Sequence, residues 1–153
     1  MNVKELMTKD PESCIPEDNC AAALEIMQRR NCGFVPVAES PKMKRVIGVV
    51  TDRDIALHLR QVDRAPSEVW VGGCMTQGAK TVSPEASLTE AAAIMEKAAV
   101  HRLPVVQDGL LVGVLSLQDI ACQARKEWAS PEAHVAERQM ADIVEAISIA
   151  RGQ

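Results

Sequence analysis

A hydroxyl and a carboxylate stand three residues apart at two places in the chain. Thr51 and Asp54 lie in GVVTDRDI, residues 48–55, and Ser116 and Asp119 lie in GVLSLQDI, residues 113–120. Each stretch leaves a predicted buried strand and enters a predicted helix, whose first N–H groups are unpaired and whose dipole favours an anion. The hydroxyl can bond a phosphate, and the carboxylate can accept the protons of ribose hydroxyls. The pattern therefore indicates a ribose phosphate site at each helix start.

The same residues have a purely structural interpretation. A Thr or Ser followed three residues later by Asp is typical of a capping box in which Asp replaces the usual Glu or Gln, and any helix can carry one. Duplication of the whole set favours binding, although repetition of a fold would also repeat its caps. Gly48 and Gly113 precede the two motifs, and a residue without a side chain would let each strand end approach a ligand closely.

Composition excludes several classes of function. The formal charge of −4 and the pI near 5.4 provide no basic field for a nucleic acid polymer, and an aromatic content of 2% leaves few stacking platforms for bases. The N-terminal MNVKELMTKD lacks the apolar region of a signal peptide, and no run approaches the ~20 apolar residues of a membrane helix. We therefore expect a cytoplasmic protein without nucleic acid or membrane partners.

The cysteines and histidines do not suggest a metal centre. No CxxC pair occurs, and no His/Cys pair has ligand spacing, so we expect no metal and no required cofactor. An odd number of cysteines without a secretory signal indicates reduced thiols, which we interpret as small core hydrophobes rather than reactive groups. The five are Cys14, Cys20, Cys32, Cys74 and Cys122.

The chain is an internal repeat. A shift of 68 positions superposes residues 7–37 on residues 75–105 with nine identical pairs, and a shift of 65 then aligns the two helix-start motifs. The first copy carries three extra residues, which we place in a turn because the second copy turns through Asp108-Gly109, a hairpin signal. Both copies are therefore expected to have one fold.

Each copy is predicted to be a small α/β unit. Asn19 and Ser87 are expected helix N-caps, Ser87 with Glu90 in a capping box, and the apolar, β-branched runs FVPV, RLPVV, RVIGVV and LLVGVL are typical of strands. The predicted fold is two tandem units, each a three-stranded sheet with two helices, plus a C-terminal helix. The expected division is 1–62, a linker at 63–73, 74–128, and a helix at 130–151 that either covers the core or mediates self-association.

The combined marks resemble a tandem pair of CBS domains, also called a Bateman module. They are the Met-Thr that starts each copy, the Pro-Glu before each first helix, FVPV and RLPVV, and the two G-h-h-[T/S]-x-x-D stretches. The resemblance covers residues 3 to about 126. It implies packing by pseudo-two-fold symmetry, clefts that bind AMP, ADP, ATP or S-adenosylmethionine, and association into homodimers.

The resemblance also assigns roles to residues. Asp54 and Asp119 would hold the ribose, and VHRLPV, residues 100–105, resembles the phosphate-contacting stretch of the nucleotide-sensing subunit of AMP-activated protein kinase. The first copy has Gly33-Phe34 where the second has His101-Arg102, so its site lacks those cations and is expected to be weaker, empty or served by Arg53. The alternative for Arg102 is a surface residue at a strand start. The implied ligand-binding set is Thr51, Arg53, Asp54, Thr81, Val82, His101, Arg102, Pro104, Ser116 and Asp119.

Two functions follow from the sequence. The first is a regulatory module that senses an adenosine ligand and modulates its own association or a partner protein. The alternative is a dimerisation or interaction scaffold with no physiological nucleotide. An enzyme is not favoured, because the sequence contains no nucleophile elbow, Walker loop or HExxH motif.

Overall fold

A computed structural model describes residues 1–128, so the helix predicted at 130–151 lies outside the described residues. The six helices are α1 (Val3–Leu6), α2 (Cys20–Arg30), α3 (Asp52–Val62), α4 (Val71–Cys74), α5 (Leu88–Ala98) and α6 (Leu117–Trp128), with a 3-10 turn at Pro66–Glu68. The strands are β1 (Thr8–Lys9), β2 (Phe34–Ala38), β3 (Val46–Thr51), β4 (Thr76–Gln77), β5 (Arg102–Gln107) and β6 (Leu110–Ser116). The predicted α/β class with two three-stranded sheets is confirmed.

Local sequence signals account for the element boundaries. Asn19 Oδ1 accepts from the Ala22 N–H at 2.9 Å and begins α2. In α5, Ser87 Oγ accepts from the Glu90 N–H at 3.2 Å while Glu90 Oε2 accepts from the Ser87 N–H at 2.7 Å. Both predicted N-caps are therefore confirmed. Asp108 and Gly109 have φ of 53° and 80°, the pair of positive values that a tight type I′ hairpin turn requires.

Each sheet includes a short strand from the start of the other repeat, which we call a borrowed strand. One sheet has the order β2-β3-β4, with β4 antiparallel to β3 through the pairs Gly48–Gln77 and Val49–Thr76. The other has the order β1-β6-β5, with β1 antiparallel to β6. The first residues of each repeat therefore complete the sheet of the other repeat.

The compact units consequently differ from the sequence repeats. Among the described residues, the first-copy unit comprises Asp10–Ala79 and Asp108–Leu111, and the second-copy unit comprises Met1–Lys9, Lys80–Gln107 and residues 112–128. The expected linker at 63–73 contains the 3-10 turn and most of α4, and it lies in the first-copy unit. Val71 of this segment is fully buried, so the segment packs as part of that unit rather than spanning freely between units.

Each unit has an aliphatic core of its own. In the first-copy unit, Met27, Val35, Val50 and Ile55 pack with two buried cysteines, Cys14 and Cys20. In the second-copy unit the buried core is Val3, Val82, Ala91, Met95, Leu103, Val105, Leu115 and Ile120. Within residues 1–128, no helix combines the length and the apolar character that would be needed to cross a membrane.

Candidate functional site

The predicted motif of the first-copy unit forms a closed capping box at the start of α3. Thr51 Oγ1 accepts from the Asp54 N–H at 3.0 Å, and Asp54 Oδ2 accepts from the Thr51 N–H at 3.0 Å. The strand β3 ends at Thr51 and α3 begins at Asp52, so the strand-to-helix junction fixes both side chains. The structural interpretation of the motif is thus correct, and it holds the hydroxyl and the carboxylate side by side.

The second-copy unit repeats the geometry with an additional bond. Ser116 Oγ accepts from the Asp119 N–H at 3.1 Å and donates to Asp119 Oδ2 at 2.6 Å, which also accepts from the Ser116 N–H at 2.8 Å. Both bonds to the carboxylate use Oδ2 and leave Oδ1 outside the capping box. Asp119 is half-buried, so one oxygen orients the side chain while the other is left to accept from a ligand hydroxyl.

A backbone hydrogen bond brings the start of the neighbouring strand to each helix start. In the second-copy unit the Leu117 N–H donates to the His101 carbonyl at 2.8 Å. His101 and Arg102, both half-buried, therefore lie beside the junction that holds Ser116 and Asp119. The corresponding bond in the first-copy unit runs from the Asp52 N–H to the Gly33 carbonyl at 3.1 Å.

Thr81 and Val82 join the same group of segments through the other side of β5. The Val82 N–H donates to the Pro104 carbonyl at 3.0 Å, and the Val106 N–H donates to the Val82 carbonyl at 2.9 Å. Val82 thus forms a parallel bridge with β5. One compact unit therefore contains seven of the predicted residues, namely Thr81, Val82, His101, Arg102, Pro104, Ser116 and Asp119.

The remaining predicted residues, Thr51, Arg53 and Asp54, belong to the first-copy unit. Arg53 is exposed on the first turn of α3. In the place equivalent to Val82, that unit has Cys14, whose thiol pKa is raised to about 12 because the side chain is buried. The site of this copy is therefore built from the same segments but with different side chains.

Asp52 is a further residue of the candidate site, and it was not predicted from the sequence. A Cβ atom added at Gly33 would lie 2.6 Å from Asp52 Oδ2, so the carboxylate occupies the space beside Gly33. In the second copy the equivalent pair is His101 and Leu117. The sequence does contain a signal for this difference: the first motif reads T-D-R-D, with Asp at the position that Leu occupies in the S-L-Q-D of the second motif. The first site is therefore more acidic than the second.

The motif glycines have a different role from the one expected. A Cβ atom at Gly48 would meet the carbonyl oxygen of Thr76 and would lie 2.9 Å from Met75 Cε, and one at Gly113 would lie 3.0 Å from the Thr8 carbonyl oxygen and contact the Met7 side chain. The space in front of both glycines is thus filled by the borrowed strands β4 and β1. The prediction that these glycines admit a ligand is wrong, because they admit a neighbouring backbone.

The described residues contain no metal-binding cluster. Among residues 1–128, no group of three or more His, Cys, Asp or Glu side chains is arranged to hold an ion. Within each unit, the polar atoms that lie together are instead those of its own helix-start motif. Such a set can donate and accept hydrogen bonds to a polar ligand without metal ligation.

The fold and the duplicated helix-start motif define the protein as a tandem pair of small α/β units with a candidate ligand site in each. Comparison with known proteins supplies the family. The sequence model of the CBS domain matches residues 3–61 and 71–123. The chain belongs to the CBS domain family and carries that domain twice, which confirms the resemblance.

Relatives and solved structures agree with this assignment. The CBS domain-containing protein YhcV of Bacillus subtilis is 32% identical over 120 residues, which cover 78% of this chain and 83% of YhcV. The crystal structure of CBSX2 in complex with AMP matches this fold with a TM-score of 0.68 and a sequence identity of 27%. The match covers 82% of this chain and 96% of the CBSX2 chain. The CBS domain pair of MJ0100 in complex with 5′-methylthioadenosine and S-adenosyl-L-methionine is 25% identical, with a TM-score of 0.69 and coverage of 80% and 98%.

Proposed function

We propose that this protein is a regulatory module that binds an adenosine ligand, either an adenine nucleotide (AMP, ADP or ATP) or S-adenosylmethionine. The observation that carries the proposal is the hydrogen bond from Leu117 N–H to the His101 carbonyl at 2.8 Å. This bond joins the backbone before β5, next to His101 and Arg102, to the helix start that carries Asp119, which supports a shared site for these residues. The complexes of CBSX2 with AMP and of MJ0100 with adenosine compounds support the ligand class.

The second-copy unit is the proposed principal site. Asp119 Oδ1 would accept the ribose hydroxyl protons, because Oδ2 is engaged by Ser116. Arg102 would provide positive charge for a phosphate, and the imidazole N–H of His101 would donate a hydrogen bond to it. Thr81, Val82 and Pro104 would line the adenine with backbone groups and apolar surface.

The first-copy unit is the proposed secondary site. Thr51 and Asp54 offer the same hydroxyl and carboxylate, with Arg53 as the nearby cation. The carboxylate of Asp52 stands where the second copy has His101, and a negative charge disfavours a phosphate at that point. We therefore infer weaker binding of nucleotides at this site than at the site of the second copy.

A change of association or of a partner's activity is the proposed output. A ligand can shift such an equilibrium only by its difference in affinity for the two states. In this proposal, an occupied site favours one state of a homodimer or of a complex with a regulated protein. The scaffold alternative differs because it requires no adenosine ligand at all.

Thermal unfolding in the presence of a ligand panel tests the proposal. AMP, ADP, ATP and S-adenosylmethionine are each added to the wild-type chain, to Asp119→Ala and to Asp54→Ala. A ligand at 100 times its Kd adds about 2.7 kcal/mol, which corresponds to roughly 5–10 °C for a chain of this length. We expect the shift to be largely lost in Asp119→Ala and partly lost in Asp54→Ala.

Glu90→Ala is the matched control. It removes the same kind of capping carboxylate, whose Oε2 accepts from the Ser87 N–H at 2.7 Å, but at the start of α5. His101 follows the other end of that helix of 11 residues, about 16 Å away at 1.5 Å per residue. Glu90→Ala should keep the ligand-induced shift. No shift with any adenosine ligand would favour the scaffold, and a shift retained in both Asp variants would contradict the proposed site.

A further inference from the structure

Two thiols of the first-copy unit lie in contact. Cys20 Sγ and Cys74 Sγ are 3.2 Å apart, and both cysteines are free. Cys20 is the first residue of α2 and is fully buried, whereas Cys74 is the last residue of α4 and is half-buried. One thiol of the pair is thus accessible to a reagent and the other stands directly behind it.

The backbones that carry the two thiols are held together independently of them. The Cys20 N–H donates to the Val69 carbonyl at 2.8 Å, and the Val71 N–H donates to the Asp18 carbonyl at 2.8 Å. An S–S bond of about 2.05 Å would require the sulfurs to approach by about 1.2 Å. Because the two backbone hydrogen bonds already hold the segments side by side, formation of the disulfide requires only this approach of the sulfurs.

The repeat shows that packing alone does not require cysteine at these positions. The shift of 68 places Leu88 at the position of Cys20 and Leu6 at the position of Cys74. Both leucines pack against the core of the second-copy unit. One copy therefore fills the equivalent space with two leucines, whereas the other places two thiols in contact.

We propose that Cys20 and Cys74 are a redox modification site, which forms a reversible disulfide by exchange with a small-molecule disulfide. The Cys74 thiolate attacks one sulfur of the reagent, whose S–S bond breaks and releases one thiolate that takes up a proton. The Cys20 thiolate then attacks Cys74 Sγ in the mixed disulfide and releases the second thiol. Two protein thiols are thereby oxidised to one disulfide, and the reagent is reduced to two thiols.

The surroundings of Cys74 make the exchange slow at neutral pH. Burial raises the pKa of the Cys74 thiol to about 12, and the hydrogen bond with Cys20 and the charge of Asp54 act in the same direction, with a smaller effect of Cys14. The imidazole of His58, in α3, packs beside Gly73, which precedes Cys74 in α4. Only the thiolate attacks, and the raised pKa keeps its fraction small. Formation of the disulfide would therefore require sustained oxidation rather than a brief exposure.

The disulfide would tie α4 to α2 across a long loop. Fifty-four positions separate the two cysteines, and closure of a loop of that length restricts the unfolded chain considerably. Cys74 is followed through Met75 by β4, which pairs with β3. The oxidised first-copy unit should therefore resist unfolding, with a Tm higher by roughly 5–15 °C.

Oxidation of the full chain with oxidised glutathione tests the proposal. After incubation, remaining thiols are alkylated and the protein is digested without reductant for mass spectrometry. The expected product is a Cys20–Cys74 linked peptide, together with a rise in Tm that a reductant reverses. Free thiols at both positions, a glutathione adduct that persists on Cys74, or a link from Cys20 to Cys14 would each overturn the proposal.

Three variants separate the bridge from general oxidation. Cys122→Ser removes an exposed thiol and should leave both the linked peptide and the Tm rise intact. Cys74→Ser should abolish both. Cys20→Ala should stop the reaction at the glutathione adduct of Cys74, because no second thiolate resolves it. A Tm rise that persists in Cys74→Ser would show that another modification stabilises the chain.

Discussion

Replacement of Gly48 by alanine should destabilise the first-copy unit through a contact between backbones. The added Cβ would lie 2.9 Å from Met75 Cε and closer still to the Thr76 carbonyl oxygen. The Met75 methyl can swing away, but the Thr76 carbonyl belongs to the β3–β4 pairing and can move only with the strand. Overpacking of this kind costs about 1–3 kcal/mol, or roughly 2–12 °C in Tm for a chain of this size.

Gly73→Ala is the control for the Gly48 variant. Its Cβ would lie 3.6 Å from His58 Nε2, an ordinary contact, and alanine favours a helix over glycine by up to about 1 kcal/mol. Thermal and urea unfolding followed by circular dichroism should show a loss for Gly48→Ala and no loss for Gly73→Ala. An unchanged Tm in Gly48→Ala would refute the assigned role of the glycine, as would an equal loss in both variants.

Three further predictions follow from burial and charge. Leu103 is fully buried, so Leu103→Ala should cost about 2–5 kcal/mol in urea unfolding, and a loss below 1 kcal/mol would contradict that packing. Hydrogen bonds from the Ser87 N–H, and secondly from the Ser87 hydroxyl, lower the pKa of Glu90 below 4.5. The contribution of ionised Glu90 to the free energy of unfolding is therefore present above pH 4.5 and is lost as the pH falls through the pKa of the folded state. Glu90→Gln should flatten this acid dependence, and an unchanged profile would count against the bond. Alkylation of Cys74, whose pKa is about 12, should accelerate about tenfold per pH unit from pH 7 to 10, with exposed Cys122 as the reference; a plateau near pH 9 would contradict the raised pKa.

Local chemistry made much of the fold predictable. The caps at Asn19 and Ser87 and the hairpin at Asp108-Gly109 depend on residues near in sequence, and each formed as predicted. The borrowed strands were not predictable in the same way. Each is two residues long and pairs across more than 25 positions, as Thr76 does with Val49, so hydrophobic periodicity carries no signal for them.

The same distinction between contacts local in sequence and contacts between distant segments applies to the candidate site. The hydroxyl–carboxylate pairs were predictable because both members lie within one helical turn. The acidic environment of the first copy was not recognised, because it requires Gly33 and Asp52 to be adjacent, and these residues belong to different elements. The contact between Cys20 and Cys74 also joins distant segments, so the sequence alone indicated only small core residues at both positions.

Equilibrium binding by isothermal titration calorimetry measures whether Asp119 holds an adenosine ligand, as proposed. AMP and S-adenosylmethionine are titrated into the wild-type chain, Asp119→Ala and Glu90→Ala. Loss of a charged hydrogen bond of about 1.5–3 kcal/mol should weaken binding by roughly 10–150-fold in Asp119→Ala, while Glu90→Ala binds like the wild type. Undiminished binding by Asp119→Ala, or no binding of either ligand by the wild-type chain, would rule out the proposed adenosine site at Asp119.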